Sequence, residues 1–128
     1  MNRWIVAASI LSFVTAAVHV FAGGPEVHET LLVADLPTLL KTYISVLWHA
    51  TTAILVFDSV ALLVAAGRTT ARRPLLWIVA GQYVAYAALF IGYGLAYLGS
   101  VMETPQWIAF TGIVALALVG VWKDSRPG

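Results

Sequence analysis

The chain has 128 residues, of which 61% are hydrophobic and 10% are charged, and its mean hydropathy is +0.90. A soluble domain usually carries about a quarter charged residues, so this composition excludes a water-soluble globule and indicates an integral membrane protein. The net charge of +1 gives no reason to expect nucleic-acid binding, and the absence of cysteine excludes disulfides, thiolate metal sites and cysteine nucleophiles.

Four apolar runs are long enough, or nearly long enough, to cross a hydrocarbon core of ~30 Å. Each run must be helical in lipid, because a lone helix satisfies its own backbone groups and an open strand does not. The sequence therefore predicts an all-α fold, a four-helix transmembrane bundle that forms one domain over residues 1–128. The predicted spans cover about 4–22, 42–66, 75–98 and 105–122.

The first span follows Arg3 and ends in Val20-Phe21-Ala22, features that also suit a cleavable signal peptide. A histidine three residues before such a cleavage site would be unusual, and we expect the helix to be retained. That histidine, His19, lies about one turn below the outer end of the span. It continues a stripe of small polar residues, including Ser9 and Ser12, which suits close contact between helices.

The connection after the first span, residues 23–41, is the only long one. A short helix over about 25–34 is predicted there, capped by Gly24, and its apolar side chains favour a position on the membrane surface. This interfacial helix would hold several ionisable side chains near the mouth of the bundle. They are Glu26, His28 and Glu29.

The second and third spans carry most of the polar side chains predicted inside the membrane. His49 lies roughly 10 Å below the outer end of the second span, and Asp58, nine residues later, faces a different neighbour. The third span carries a polar and aromatic stripe, whereas the fourth offers little besides small residues for packing. Two layers are predicted: an outer one of His19, His49 and Tyr93, and an inner one of Asp58 with Gln82 or Tyr83.

The basic residues predict the orientation of the bundle in the membrane. Six of the seven Lys and Arg residues flank the spans on one side, and four of the six acidic residues lie on the other. Both termini and the 67–74 connection should therefore be cytoplasmic. The six basic residues are Arg3, Arg68, Arg72, Arg73, Lys123 and Arg126, and Lys41 is the exception. The four acidic residues are Glu26, Glu29, Asp35 and Glu103.

Three imidazoles and a carboxylate at one mouth of the bundle suit a transition metal, Zn, Cu or Fe. The predicted metal ligands are His19, Glu26, His28 and His49, and the predicted supporting or ligand-binding residues are Glu29, Ser45, Tyr93 and Tyr97. The spacing matches no tight metal motif such as HExxH. The alternative is that His19 and His49 hydrogen-bond Tyr93, Ser45 or a backbone carbonyl, while His28 and the glutamates are solvated loop residues.

Two further interpretations concern the polar groups inside the spans. His19 and His49 come from adjacent antiparallel helices and could be the axial ligands of a b-type haem, but Lys41 is the only basic residue available there for the propionates. Asp58 could bind and release a proton during cation or drug antiport. It could instead form a structural polar clasp with Gln82 or Tyr83, which we favour.

The run GGPEVHETLL, followed by the Trp48-His49 pair in the second span, resembles small uncharacterised bacterial four-span inner-membrane proteins with a Gly-Gly loop and a Trp-His pair. The matching residues are Gly23, Gly24, Trp48 and His49, all in the first half of the chain. The resemblance implies a bacterial inner-membrane location and a site that includes the histidine pair. It implies no activity.

The sequence thus favours a small membrane protein with a periplasm-facing His/Glu/Tyr site for a transition metal or a small polar ligand. One alternative is a non-catalytic accessory subunit of a larger membrane complex, and another is a proton-coupled transporter that uses Asp58. The expected partner is the lipid bilayer, together with further copies of the chain or a larger complex. No serine nucleophile elbow or nucleotide loop occurs, and no catalytic residue is predicted.

Overall fold

The computed structural model describes residues 1–124, which are all-helical. Helix makes up 88% of the structure, and residues 1–124 contain no strand, which confirms the all-α prediction. Two stretches within these residues have the wider π-helical geometry. The elements in chain order are α1 Arg3–Phe21, a first π-helix Gly24–Glu29, α2 Thr30–Val33, α3 Thr38–Gly67, α4 Thr69–Tyr93, a second π-helix Gly94–Leu98 and α5 Gln106–Asp124.

Four helical stretches are long and apolar enough to cross a membrane, and each overlaps one of the four predicted spans. They are Arg3–Val33, Thr38–Gly67, Thr69–Leu98 and Gln106–Asp124. Many of their large apolar side chains point away from the bundle; Phe57, for example, is 72% exposed. So much exposed apolar surface exceeds what a soluble monomer tolerates, and it indicates contact with the lipid bilayer.

The helix predicted after the first span is present, but it is continuous with that span. Only a turn at Ala22 separates α1 from the π-helix and α2. Gly23 has helical backbone angles, and Pro25 lies in the first turn of the π-helix, where its missing N–H leaves few bonds unmade. The Gly-Gly-Pro run therefore does not break the helical path as the sequence suggested.

The connection predicted over residues 67–74 is much shorter in the structure, because α4 already begins at Thr69. Arg72, in the second turn of α4, donates from Nε to the Ala65 carbonyl over 2.9 Å and from Nη2 to the Ala66 carbonyl over 3.0 Å. These bonds satisfy carbonyls in the last turn of α3 and allow a tight link. Pro74 is accommodated inside α4.

The long helices form a ring in which α1 packs on α3 and α5, and α4 packs on the same two helices. Helices α1 and α3 are antiparallel: the Asn2 N–H donates to the Ala66 carbonyl over 2.9 Å at one end, and His19 contacts Trp48 at the other. Helices α4 and α5 are antiparallel by the same test. Arg72 pairs with Asp124 at one end, and Thr104 donates to the Phe90 carbonyl over 3.2 Å at the other.

This arrangement separates charge along the bundle. The end formed by the N-terminus of α1, the α3–α4 link and the C-terminus of α5, here called the basic end, carries five arginines and lysines among residues 1–124: Arg3, Arg68, Arg72, Arg73 and Lys123. Arg126, the sixth predicted basic residue, lies outside the described residues. The opposite end, here called the acidic end, carries Glu26, Glu29, Asp35 and Glu103, with Lys41 among them.

Candidate functional site

Two of the three histidines stack on one tryptophan at the acidic end. The His19 ring stacks on Trp48 with centroids 4.0 Å apart and an interplanar angle of 22°, and the His28 ring stacks on it at 5.7 Å and 9°. Gly23 lets the indole come close, because a Cβ at this position would lie 3.1 Å from the Trp48 Cη2 atom. The Gly-Gly run thus brings His28 back toward α3.

His49 joins this group through His28. The two rings meet edge to face with centroids 5.2 Å apart. The His28 Nε2 atom lies 3.0 Å from the Ser45 Oγ atom, and the His19 Nε2–H donates to the Trp48 carbonyl oxygen over 3.3 Å. We call His19, His28, Ser45, Trp48 and His49 the histidine cluster. It draws on α1, the first π-helix and α3.

Glu26, the predicted carboxylate ligand, and Glu29, a predicted supporting residue, do not join the histidine cluster. Glu26 and Glu29 are exposed on the first π-helix. Within residues 1–124, no group of three or more His, Asp or Glu side chains is arranged to hold a metal ion. The structure therefore places the three predicted imidazole ligands near one another without the carboxylate that was expected to complete them.

The predicted aromatic neighbours also lie elsewhere. Tyr93 and Tyr97 are 64% and 77% exposed, and their rings contact each other at a centroid distance of 5.4 Å. Within the described part of the chain, neither ring makes a hydrogen bond or ring contact with the histidine cluster. Tyr93 lies at the end of α4 and Tyr97 in the second π-helix, and both side chains point outward instead of toward α3.

An open groove of about 680 Å³ adjoins the histidine cluster along the start of α3. Its polar lining consists of Thr38, Lys41, Thr42, Ser45 and His49, and its apolar lining of Leu32, Val46 and Ala50. The Lys41 ammonium group donates to the Leu32 carbonyl over 2.8 Å, which ties α2 to α3 beside the groove. We call this feature the α3 groove.

The inner polar layer contains two separate contacts. Gln82 Nε2 donates to Asp58 Oδ2 over 2.7 Å, the pairing that the sequence suggested, and Asp58 is only 7% exposed. Tyr83, the other predicted partner of Asp58, instead bonds the Ser12 hydroxyl over 2.5 Å. Asp58 is thus held on α3 by a side chain from α4.

Sequence reasoning missed part of the second contact. Ser12 also bonds the Ser59 hydroxyl over 2.6 Å, and Ser9 donates to the Ser59 carbonyl over 2.8 Å. We call Ser9, Ser12, Ser59 and Tyr83 the hydroxyl network; all four are buried. The stripe of Ser9 and Ser12 in the sequence did indicate a close helix contact. Ser59 lies beside Asp58 in an apolar span, and a hydroxyl at such a position indicates a hydrogen-bond partner on a neighbouring helix.

The chemistry available at the acidic end is that of imidazole and hydroxyl groups held against an indole. Each histidine can offer a ring nitrogen to a polar ligand, and Ser45 adds a hydroxyl. No family model matches the chain, and no curated protein or solved structure proved similar to it.

Proposed function

We propose that this chain is a four-span membrane protein whose histidine cluster binds a small polar ligand or a transition metal at the acidic end. One observation carries the proposal: His19 and His28 both stack on Trp48 and His49 contacts His28, although the three histidines come from three separate segments. Polar residues within membrane spans are costly and tend to mark functional sites.

Between the two ligand classes, the contacts favour a small polar molecule. The Nε2 atoms of His19 and His28 already face a carbonyl and a hydroxyl, so a metal would have to displace these partners or use the other ring nitrogens. A transition metal nevertheless stays a candidate ligand, because imidazole is a suitable ligand for Zn, Cu and Fe. Haem ligation has less support, since Trp48 stacks on the His19 ring.

We further propose that the protein lies in a bacterial inner membrane with its acidic end facing the periplasm and both termini in the cytoplasm. The concentration of arginine and lysine at the basic end supports this orientation. The first π-helix and α2 would then lie at the outer surface of the membrane, as the interfacial helix of the sequence prediction does.

The accessory-subunit and transporter hypotheses remain predictions. The transporter hypothesis depends on Asp58, whose buried side chain accepts a hydrogen bond from Gln82. That geometry fits a polar clasp between α3 and α4, so the histidine cluster is the stronger candidate for function.

The experiment that tests the proposal is elemental mass spectrometry of the detergent-purified protein, alone and after dialysis against Zn²⁺, for the wild type beside His49→Ala. If the cluster is a metal site, near-stoichiometric metal in the wild type should fall at least tenfold in the variant. Gln106→Ala is a suitable control, because Gln106 is exposed at the same end of the bundle. Metal content unchanged by His49→Ala would contradict a metal at this cluster.

A folded wild type without metal would leave the polar-ligand form of the proposal. In that case the matched measurement is the set of small molecules released on denaturation of the wild type and absent from His49→Ala. Release of the same molecules from both proteins would contradict ligand binding at the histidine cluster.

A further inference from the structure

The α3 groove follows one face of a single helix. Its lining residues on α3 recur at intervals of three and four, from Thr38 to Ala50, so they form a stripe about three and a half turns long. Leu32 of α2 forms the other wall. The stripe changes in character along its length: hydroxyl and ammonium groups dominate the first two turns, and Val46 and Ala50 follow further into the span.

The groove carries one permanent positive charge. No carboxylate of the described residues lies within 4.0 Å of the Lys41 ammonium group, which donates to the Leu32 carbonyl. An ammonium group has three donors, so two remain for a ligand. The Thr38 hydroxyl lies along the same stripe, whereas the Thr42 hydroxyl donates to the Thr38 carbonyl over 2.9 Å. This combination suits an anionic group with several acceptor oxygens.

The depth of the groove indicates where that anionic group would come from. With 30 residues, α3 is about 45 Å long, whereas the hydrocarbon core is ~30 Å thick. Part of α3 therefore lies outside the hydrocarbon; its polar first turns suit the level of the lipid headgroups, and the later, more apolar part of the groove suits the hydrocarbon. Flanking side chains on α3 are apolar and exposed, including Leu39 and Leu47.

We propose that the α3 groove binds the phosphate headgroup of an anionic membrane lipid. Lys41 and Thr38 contact the phosphate, and an acyl chain runs along Val46 and Ala50. Because Ser45 and His49 of the histidine cluster also line the groove, this proposal rests on the proposed function in assigning ligand binding to the acidic end. It names the lipid that would border the histidine cluster.

The test is native mass spectrometry of delipidated protein titrated with dioleoyl phosphatidylglycerol or dioleoyl phosphatidylcholine. The wild type should bind the anionic lipid more tightly, and Lys41→Gln should weaken that binding about fivefold, the effect of one lysine near a membrane surface. Lys41→Arg should retain it. Arg68→Gln is the matched control, since it removes one exposed basic side chain from the opposite end.

Several outcomes would overturn the proposal. They are equal binding of the two lipids, equal weakening by Lys41→Gln and Arg68→Gln, and competition by inorganic phosphate at the same concentrations as the lipid. Because Lys41 also ties α2 to α3, Val46→Trp provides a second test: it fills the groove at an exposed position and should exclude the lipid. Lipid binding unchanged by Val46→Trp would also overturn the proposal.

The two proposals can fail separately. Lys41 is outside the histidine cluster, so its variants test the headgroup site alone, and His49→Ala with metal or released small molecules tests the cluster. Weaker lipid binding in Lys41→Gln and in Val46→Trp, but not in Arg68→Gln, would support the groove whatever the metal content shows. If His49→Ala loses its metal as expected but the wild type binds both lipids equally, the histidine cluster remains supported and the lipid headgroup site is contradicted.

Discussion

Ser12 is the residue on which the buried polar contacts of three helices depend. Its hydroxyl lies on α1 and bonds both Ser59 on α3 and Tyr83 on α4, over 2.6 and 2.5 Å. None of the three side chains is exposed. In a hydrocarbon environment no water replaces a lost partner, so each hydroxyl left alone here carries a desolvation cost.

Ser12→Ala should lower the free energy of unfolding by about 1–2 kcal/mol, because Tyr83 loses its hydrogen-bond partner and Ser59 keeps only the Leu55 carbonyl. The measurement is reversible unfolding in mixed micelles, followed by circular dichroism. Thr111→Ala is the control: Thr111 is exposed on α5, and its hydroxyl bonds only carbonyls of its own helix. Equal losses for the two variants would show that the hydroxyl network adds nothing beyond helix propensity.

Close approach between helices depends on Gly120 where α5 crosses α1. A Cβ at Gly120 would lie 2.6 Å from the Ile5 Cγ1 atom and 3.0 Å from the Asn2 Oδ1 atom. Ile5 is fully buried, so its neighbours leave little room for another rotamer. Asn2 also donates to the Gly120 carbonyl over 2.9 Å and caps α1 by accepting from the backbone N–H groups of Trp4 and Ile5.

Gly120→Ala should therefore separate α1 from α5 and destabilise the protein by about 1–3 kcal/mol, the usual range for an overpacked core. Thermal unfolding in detergent provides the measurement. Gly81→Ala makes the same chemical change on α4, where no atom lies within 4 Å of the added Cβ and the position is exposed. It should be neutral or stabilising by up to about 1 kcal/mol. The opposite order would contradict the packing at Gly120.

The sequence predicted the helices better than their faces. Hydropathy summed over about 20 residues identifies a span whatever its rotation. In lipid, however, the outer face of a helix is as apolar as its inner face, so the apolar pattern does not tell which side meets a neighbour. Tyr93 and Tyr97 were expected beside the histidines because they continue the polar stripe of the third span to the depth of His19 and His49, but they face outward. The Asp58–Gln82 contact was predictable because buried polar groups require partners.

The sequence also failed to predict the structure of the short connections between helices. Gly-Gly-Pro is normally a helix break, but here the chain stays helical through it because Gly23 packs against Trp48 and Pro25 lies in a first turn. That packing also brings His28 to the histidine cluster. The convergence of the histidines was therefore predictable only as a possibility, since it depends on a contact between residues 25 positions apart in the chain.

At the scale of the whole molecule, the separation of charge along the bundle predicts its orientation. Five arginines and lysines of residues 1–124 lie at the basic end, and translocating such groups across a bilayer is disfavoured. Lys41 at the acidic end is outnumbered by four carboxylates. The acidic end should therefore be the one that crosses the membrane during insertion and remains outside.

The chain contains no cysteine, so single-cysteine variants report this orientation without background. The protein is expressed in bacteria from which spheroplasts are prepared. In these, Glu26→Cys at the exposed first π-helix should react with a membrane-impermeant maleimide. Thr70→Cys, exposed at the start of α4, should react only after the membrane is permeabilised. The reverse pattern would place the histidine cluster and the α3 groove on the cytoplasmic side. Labelling of both sites in intact spheroplasts would indicate dual insertion, which a bias of five basic residues to one should prevent.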